Sequence, residues 1–421
     1  MRINSLVFSV VFLFLISCGG SSGKGSLQES TAEDENQGDI PVSADWANIP
    51  RYIDETTAAG NIHYNSGGRR IVRISGTTIA LVNDGGVDLI YRSIDNGANW
   101  SEIDFENGFS SCLVSGPNNY VYHFSRYGSN IRMVKFRYDT DIIPAPINIY
   151  QNLSSSNHGA YTMINATIDD TGTLFVFFHH DTGTGGDSIY MLRSEDAGDT
   201  WSAPIPVRAG TTGDSWGFVH SDVTPEGDVI IVYSQWGSAT SQFGMSTDNG
   251  NTWSHTTIAS GSIYNPAVLP VGNNEVYIFA QSDPDDGLVF KKSTDSGTSW
   301  PNDWASIQAN HASGYADPSP ALGDDGTIYV AFRGAEAYTS LSDDLRSFIA
   351  TSTDGGDSWI FPDNHIDGGR VGSRSTMRYQ TWHNYGGPLE WTWLEEDGED
   401  SNIYPTMYDI NSDVTIRNLL N

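Results

Sequence analysis

The chain has 421 residues, of which 44 are glycine, 12 are tryptophan and 17 % are charged, and its formal net charge is −31. So strong a negative charge excludes a basic nucleic-acid footprint and simple electrostatic attraction to anionic lipid, so we expect no nucleic-acid partner. An aromatic content of 12 % also excludes an intrinsically disordered chain, because such chains carry too little apolar surface to bury.

The first 45 residues predict export and attachment to a membrane. Residues 1–17 contain an apolar run that is typical of a signal peptide and too short to span a bilayer stably. The tetrad Leu15-Ile16-Ser17-Cys18 resembles the bacterial lipobox, which implies cleavage before Cys18 and lipidation of that cysteine. The alternative is an ordinary cleaved signal with an incidental cysteine.

Gly19 after that cysteine resembles lipoproteins sorted to an outer membrane. We therefore predict a bacterial cell-envelope protein at the outer membrane or cell surface, which contacts the membrane only through its lipid anchor. Residues 18–45 are rich in Gly, Ser, Glu and Asp and predict a flexible tether, and residues 46–421 predict one folded domain. Within that domain Cys112 is the only cysteine, so no intramolecular disulfide can form.

Five segments of the chain share the pattern Ser-x-Asp-x-Gly-x-x-Trp. They are Ser93–Trp100, Ser194–Trp201, Ser246–Trp253, Ser293–Trp300 and Ser352–Trp359. In a tight turn, Asp accepts backbone N–H groups, Gly takes a positive φ and Trp packs back onto the sheets. The segments resemble the Asp-box, or BNR, repeat of the sialidase superfamily of β-propellers, and we interpret them as scaffold.

The resemblance implies an all-β fold: a seven-bladed β-propeller of four-stranded antiparallel blades. Candidate first strands begin near Ile71, Cys112, Tyr161, Val219, Pro266, Ser319 and Ser375. The blade between the first and second boxes lacks a recognisable box, and we place its degenerate turn around Arg137-Tyr138-Asp139. Six blades are the alternative, if the second or the last unit is not a complete sheet.

Strand direction separates two ends of each blade. The boxes join third and fourth strands, so the start of the first strand and the end of the second strand meet at the opposite end, where ligands should bind beside the central channel. Residues at these predicted corners include His158, His179, His180, Trp216, His220, Tyr264, Tyr315, Asp317, Arg333 and Arg374. Aromatic rings cover the apolar faces of sugars, while amides, imidazoles and arginines bind hydroxyls and carboxylates.

Scarce cations concentrate near the C-terminal end of the domain. Arg333, Arg346, Arg370, Arg374 and Arg378 follow one another closely in an otherwise acidic chain. A locally positive channel mouth favours an extracellular and anionic glycan as partner. The alternative is that these arginines pair with nearby carboxylates.

Four corner residues, His158, His179, Tyr315 and Arg333, resemble the His/His and Tyr/Arg set of propeller ulvan lyases. The resemblance implies β-elimination: a cation neutralises the uronate carboxylate, a His or Tyr removes the C5 proton, and a partner protonates the leaving oxygen. His180, Trp216, His220, Tyr264, Asp317 and Arg374 would then bind substrate.

Two other functions stay open. Sialidase-like hydrolysis by an exo-glycosidase is disfavoured, because Arg73-Ile74-Ser75 carries Ser where the sialidase signature has Pro. A non-catalytic glycan-binding or interaction propeller uses the same scaffold, and fold alone does not decide between them. We predict no cofactor, and no metal at His179-His180-Asp181, because neighbouring residues of a strand point to opposite faces.

Overall fold

The computed structural model describes residues 51–56, 71–84, 87–94, 101–153, 164–181, 187–210, 216–235, 240–261, 263–282, 287–307, 318–323, 326–335, 345–360, 374–376, 393–396 and 408–412. The predicted signal peptide, Cys18 and the tether lie outside these ranges, as does most of the first box. Within the described part of the chain, no helix is long and apolar enough to span a membrane.

The described strands pair into seven antiparallel sheets, of which six have four strands and one has three. Sheet 7 also takes in the first strand of the chain, β1 (Arg51–Thr56). Sheet 1 consists of β2 (Ile71–Ile74), β3 (Thr77–Asp84), β4 (Val87–Ser93) and β5 (Ser101–Asn107). Sheet 2 consists of β6 (Phe109–Ser115), β7 (Tyr120–Tyr127), β8 (Asn130–Arg137) and β9 (Ile147–Tyr150). Sheet 3 consists of β10 (Ile164–Ile168), β11 (Leu174–Asp181), β12 (Asp187–Ser194) and β13 (Ile205–Arg208).

The remaining strands follow the same order. Sheets 4 to 7 contain β14 (Trp216–Val223), β15 (Val229–Gln235), β16 (Thr240–Ser246) and β17 (Ser254–Ser260); β18 (Ile263–Gly272), β19 (Glu275–Ser282), β20 (Gly287–Ser293) and β21 (Ala305–Ser306); β22 (Ser319–Leu322), β23 (Ile328–Ala335) and β24 (Leu345–Ser352); β25 (Arg374–Thr376), β26 (Trp393–Glu396) and β27 (Tyr408–Ser412). The predicted all-β propeller of antiparallel four-stranded blades is confirmed, with six complete blades, the number held as the alternative.

Within the described residues, the sheet with fewer than four strands is neither the second nor the last. Sheet 2, one of the two sheets without a box, has all four strands, whereas sheet 6 has three in the part of the chain that the structure describes. In sheet 6 an isolated bridge between Thr351 and Ile360 stands where the other blades have a fourth strand. The predicted first-strand positions all lie within three residues of the observed starts.

The two ends of the domain meet in one sheet. Strand β1 pairs antiparallel with β27, so sheet 7 combines a strand from the N-terminal side with three from the C-terminal side. Such pairing closes a ring of blades and removes exposed strand edges. No feature of the N-terminal segment predicted this partner.

The hydrophobic core consists of layers between neighbouring sheets. Second strands are buried on both sides, which explains continuous apolar runs such as that of β11. Alternation along β11 then assigns each side chain to a neighbour: Phe178 packs in the layer with sheet 2, and Phe177 in the layer with sheet 4. Every core layer therefore fixes the angular position of two sheets at once.

Each of the four fully described boxes makes the same hydrogen bonds. The serine hydroxyl accepts from the glycine N–H at 2.8 Å and donates to Oδ1 of the aspartate at 2.7–2.9 Å. The same oxygen accepts a backbone N–H four residues further on at 2.8–2.9 Å. Hydrogen bonds from Thr200 and Ser194 lower the pKa of Asp196 to about 2, which keeps this acceptor ionised.

The boxes also connect sheets. Trp253 stacks edge-on against Phe177 of the preceding sheet, with ring centroids 5.9 Å apart, and its indole N–H donates to Gly250 O at 3.1 Å. Gly297 has φ +83°, and an added Cβ would lie 2.3 Å from the Phe243 ring of the preceding sheet. The interpretation of the boxes as scaffold is thereby confirmed at the level of turn chemistry and packing. At the boxless position, Arg137 forms a two-point ion pair with Asp139 instead.

Candidate functional site

The end of the blades opposite the boxes, called here the mouth end, is where first strands begin, second strands end and third strands begin. Boxes follow the ends of β12, β16, β20 and β24, so His179 and His180 at the end of β11 lie at the mouth end. This confirms the predicted separation of the box turns from the corners at which ligand-binding residues were sought.

His179 is an imidazole held inside the protein. Its residue is 7 % exposed, and its Nε2 atom is buried with no hydrogen-bond partner among the described residues. Burial lowers the pKa of His179 to about 4, so the ring is neutral at neutral pH. A neutral imidazole with an unoccupied nitrogen can accept a proton or a hydrogen bond from a ligand.

His180, the next residue, faces the other way. It is half-buried, and its ring meets Tyr150 at 6.0 Å and Tyr190 at 5.7 Å in edge-to-face contacts. The two histidines therefore lie on opposite faces of β11, as the strand argument predicted, and they do not converge on one ion. Within the described ranges, no group of three or more His, Cys, Asp or Glu residues could hold a metal.

Strand register places a set of polar residues at one level of the mouth end. In each sheet with a box, the third-strand residue five positions before the box serine pairs with one residue of the second strand. In sheets 1, 3, 4, 5 and 6 these second-strand residues are Asn83, His179, Ser234, Gln281 and Arg333. In boxless sheet 2, Arg126 takes this place opposite Ile131. Box-glycine packing supports the equivalence. An added Cβ would lie 3.0 Å from Met133 at Gly198 and 2.3 Å from Met191 at Gly250, and each methionine is two residues after the paired position.

Four of these equivalent positions have described side chains, and all four are buried: Arg126, His179, Ser234 and Gln281. Arg126 donates from Nε to Gly128 O at 3.0 Å, and burial lowers its pKa without removing its charge at neutral pH. The sequence pointed to His179 and Arg333 but missed Arg126 and Ser234. Counting back from a box finds Ser234, whereas Arg126 has no box to count from.

His220 lies deeper in the blade than the predicted corner. Strand β14 begins at Trp216, so His220 is inside the strand, is 3 % exposed and accepts a hydrogen bond from the Val268 N–H at 3.3 Å. Its neighbour Ser221 donates to Asn165 of the preceding sheet. His220 thus forms a contact between sheets 4 and 5, and its role in binding substrate stays a prediction.

The other predicted site residues are located by register or lie outside the described ranges. His158, Tyr315 and Asp317 lie outside. The remaining four are in strands: Trp216 opposite Gln235, Tyr264 opposite Gln281, Arg333 opposite Ser347 and Arg374 opposite Glu396. The structure therefore brings His179, Arg333 and Tyr264 to the same end of their blades. The roles predicted for the three residues outside the described ranges and for the four located by register remain predictions.

A second buried cluster joins sheets 1 and 2. Asp88 Oδ2 contacts His123 Nε2 at 3.1 Å and accepts a hydrogen bond from Ser111, and all three residues are fully buried. These are the residue types of a nucleophilic triad, but here the serine donates to the carboxylate rather than to the imidazole. The cluster is an internal contact between sheets, which sequence reasoning did not find.

The described sheets and the repeated turns show a β-propeller fold with Asp-box-like turns. Residues 150–315 match the family model described as the BNR repeat-like domain, which confirms the repeat over that stretch. No curated protein sequence matches the chain.

Solved structures share the fold at low identity. An ulvan lyase bound to -[GlcA(1-4)Rha3S]- is 12 % identical with a TM-score of 0.61, covering 88 % of this chain and 98 % of its own. The polysaccharide lyase Uly1 is 9 % identical with a TM-score of 0.52, covering 85 % and 92 %. The Hadza microbial sialidase Hz136 is 13 % identical and covers 80 % and 74 %, but its TM-score of 0.44 is too low to support an argument.

Proposed function

We propose that this protein binds and cleaves an anionic extracellular polysaccharide by β-elimination, with His179 as the base. The observation that carries the proposal is the imidazole of His179, which is buried, neutral and without a hydrogen-bond partner for Nε2 among the described residues. A buried polar atom without a partner costs about 1–3 kcal/mol, so its retention at the mouth end favours a role with a ligand. The shared fold of two polysaccharide lyases supports the same direction.

The chemistry requires three functions. A cation neutralises the uronate carboxylate, which makes the C5 proton acidic. We assign this role to Arg333, which occupies the strand position equivalent to that of His179. His179 takes the C5 proton through a ring nitrogen, the C4–O bond breaks, and a C4–C5 double bond forms. The leaving oxygen takes a proton from an acid, a role that we assign to Tyr315 or His158.

Product formation tests the proposal directly. The full chain is incubated with a panel of uronate polysaccharides, and the ultraviolet absorbance of the conjugated, unsaturated uronate is followed. His179→Asn should lower kcat by about 10²–10⁴-fold, the usual contribution of a positioned base. His255→Gln is the matched control, because His255 is at the start of β17 and already bonds Tyr233 and Val207 O at 2.9 Å each.

Other outcomes would favour the alternatives. Glycan binding without unsaturated product from any substrate overturns the lyase and leaves a binding propeller. Release of a free terminal sugar without unsaturation supports exo-glycosidase hydrolysis instead, and retention of full activity by His179→Asn removes His179 from the mechanism.

Lipid attachment at Cys18 is a separate part of the proposal, supported by the lipobox-like tetrad. Expressed in a bacterial host, the full chain should fractionate with membranes and incorporate labelled fatty acid. Cys18→Ser should lose the label and leave the membrane fraction. An unlabelled wild-type chain would leave an ordinary cleaved signal as the explanation.

A further inference from the structure

Four aromatic rings meet at the mouth end between sheets 2 and 3. Tyr150 ends β9 of sheet 2, Phe178 and His180 lie near the end of β11, and Tyr190 lies near the start of β12. Tyr150 is 5.2 Å from Phe178, and Phe178 is 6.0 Å from Tyr190 in a stacked arrangement. With the two contacts of His180, each ring touches at least two others.

Only one of the four rings belongs wholly to the core. Phe178 is fully buried in the layer between the two sheets, whereas Tyr150, His180 and Tyr190 remain partly exposed. The aromatic patch formed by Tyr150, His180 and Tyr190 therefore presents rings to solvent on a rigid base. Aromatic pairs of this type hold their geometry before any ligand arrives, which lowers the entropic cost of binding.

The polar atoms of the patch suit an uncharged ligand. Burial, followed by the neighbouring Tyr190 phenol, raises the pKa of Tyr150, so its hydroxyl stays protonated at neutral pH. Within the described residues neither the Tyr150 nor the Tyr190 hydroxyl makes a hydrogen bond, and each can donate to or accept from a sugar hydroxyl. The patch contains no lysine or arginine, and the chain is strongly acidic, which disfavours an anionic unit at this position.

The patch lies beside the proposed base. His179 and His180 are consecutive residues on opposite faces of β11, so one strand separates the patch from the His179 imidazole. A glycan bound at His179 would have to cross this strand to leave the mouth on the side of sheet 2.

We propose that Tyr150, His180 and Tyr190 form an accessory subsite that stacks an uncharged pyranose unit of the same polysaccharide whose charged unit occupies the His179 site. This inference rests on the proposed function for the identity of the polysaccharide, and it adds a substrate preference. The preferred glycan has charged and uncharged units next to each other, and it is long enough to span the His179 site and the aromatic patch.

The test compares chain lengths in the full-length protein. Tyr150→Ala should raise KM for polymer about tenfold while leaving kcat unchanged, and it should leave KM unchanged for the shortest cleaved oligosaccharide. Tyr150→Phe keeps the ring and should lose only a few-fold. Tyr120→Ala is the matched control, because Tyr120 is a partly exposed ring at the box end of sheet 2, against Tyr122 at 6.4 Å.

Two outcomes separate the subsite from the lyase. If wild type cleaves polymer and Tyr150→Ala has the same KM at every length, the subsite is wrong and the proposed function stands. If wild type cleaves nothing, affinity electrophoresis in gels containing an uncharged polysaccharide replaces kinetics. Retardation of wild type but not of Tyr150→Ala then supports the subsite alone, and equal mobility of both overturns it. Tyr150→Leu, which retains apolar volume, repeats each measurement if Tyr150→Ala unfolds.

Discussion

The box end and the mouth end of the same blades use polar residues in opposite ways. At the box end, each described serine and aspartate bonds inside its own turn, with the same partners in every copy. At the mouth end, equivalent positions carry a guanidinium, an imidazole, a hydroxyl and an amide, and the imidazole of His179 lacks a partner for Nε2 among the described residues. Repetition therefore indicates scaffold, and variation at equivalent positions indicates a site.

The difference follows from what each end must bury. A box satisfies its own polar groups, so its sequence is a complete local solution and tolerates repetition. A ligand site needs polar groups that the protein leaves unsatisfied, which lowers stability wherever it occurs. The two ends should thus respond differently to the same substitution.

Two glycines with nearly equal φ angles offer the sharpest comparison. Gly297 of a box has φ +83° and packs against Phe243, whereas Gly261 at the mouth end has φ +82° with nothing within 4 Å of an added Cβ. Gly297→Ala should lower the free energy of unfolding by about 3–5 kcal/mol, because backbone strain and overpacking add. Gly261→Ala should cost only the strain, about 1–2 kcal/mol. Chemical denaturation measures both, and equal losses would show that the contact with Phe243 contributes nothing.

The pH dependence of stability tests the burial of His179. Its pKa falls from 6.5 in the unfolded chain to about 4 in the folded protein, so the unfolded state binds the proton first as pH falls. Between pH 6.5 and 4 the wild type should lose up to about 3 kcal/mol of unfolding free energy, at about 1.4 kcal/mol per pH unit, relative to His179→Leu. Above pH 6.5 the difference between the two proteins should be constant. Parallel curves over the whole range would show that His179 titrates normally.

Removing a box hydroxyl should have a smaller effect on stability than Gly297→Ala or the protonation of His179. Ser246 is buried and accepts the Gly250 N–H at 2.8 Å, so Ser246→Ala leaves a buried donor without an acceptor and should cost about 1–3 kcal/mol. The control is Ser254→Ala, since the exposed Ser254 hydroxyl makes only a long bond of 3.3 Å to Met245 O. Thermal unfolding should separate the two variants, and a stable Ser246→Ala would mean that water replaces the hydroxyl.

The smallest difference concerns two tyrosines at equivalent box-end positions. Tyr277 pairs with Lys292 and donates to Gly355 O at 2.8 Å, whereas Tyr122 pairs with Lys135 and its buried hydroxyl has no partner among the described residues. Tyr277→Phe should cost about 1 kcal/mol, and Tyr122→Phe should be neutral or slightly stabilising. A loss in Tyr122→Phe as large as that in Tyr277→Phe would reveal a partner for its hydroxyl in solution.

Much of the fold could be predicted because its determinants are local. The box contains its own hydrogen-bonding partners within eight residues, so five copies located the turns between third and fourth strands. Strand starts were placed within three residues for the same reason, since turn residues and β-rich runs mark both limits. The preferred count of seven complete blades was not met, because in the described part of the chain sheet 6 keeps its box but has a single bridge in place of a fourth strand.

The candidate site was predicted only in part. His179 and His180 could be assigned to the mouth end, and to opposite faces, from strand alternation alone. The burial of His179, the inward position of His220 and the equivalence of Arg126 depend on neighbouring sheets that are distant in sequence. The aromatic patch was missed for the same reason, because Tyr150 and Tyr190 come from different sheets.

By itself, the sequence determined the repeated turn, the all-β class and the end of each blade at which to look for chemistry, since all three follow from contacts within a few residues. Tertiary structure alone decided the closure of sheet 7 by β1, the pairing of Asp88 with His123 and the loss of solvent around His179. Each of these depends on which sheets become neighbours, and on the burial that follows when side chains from separate repeats share one layer.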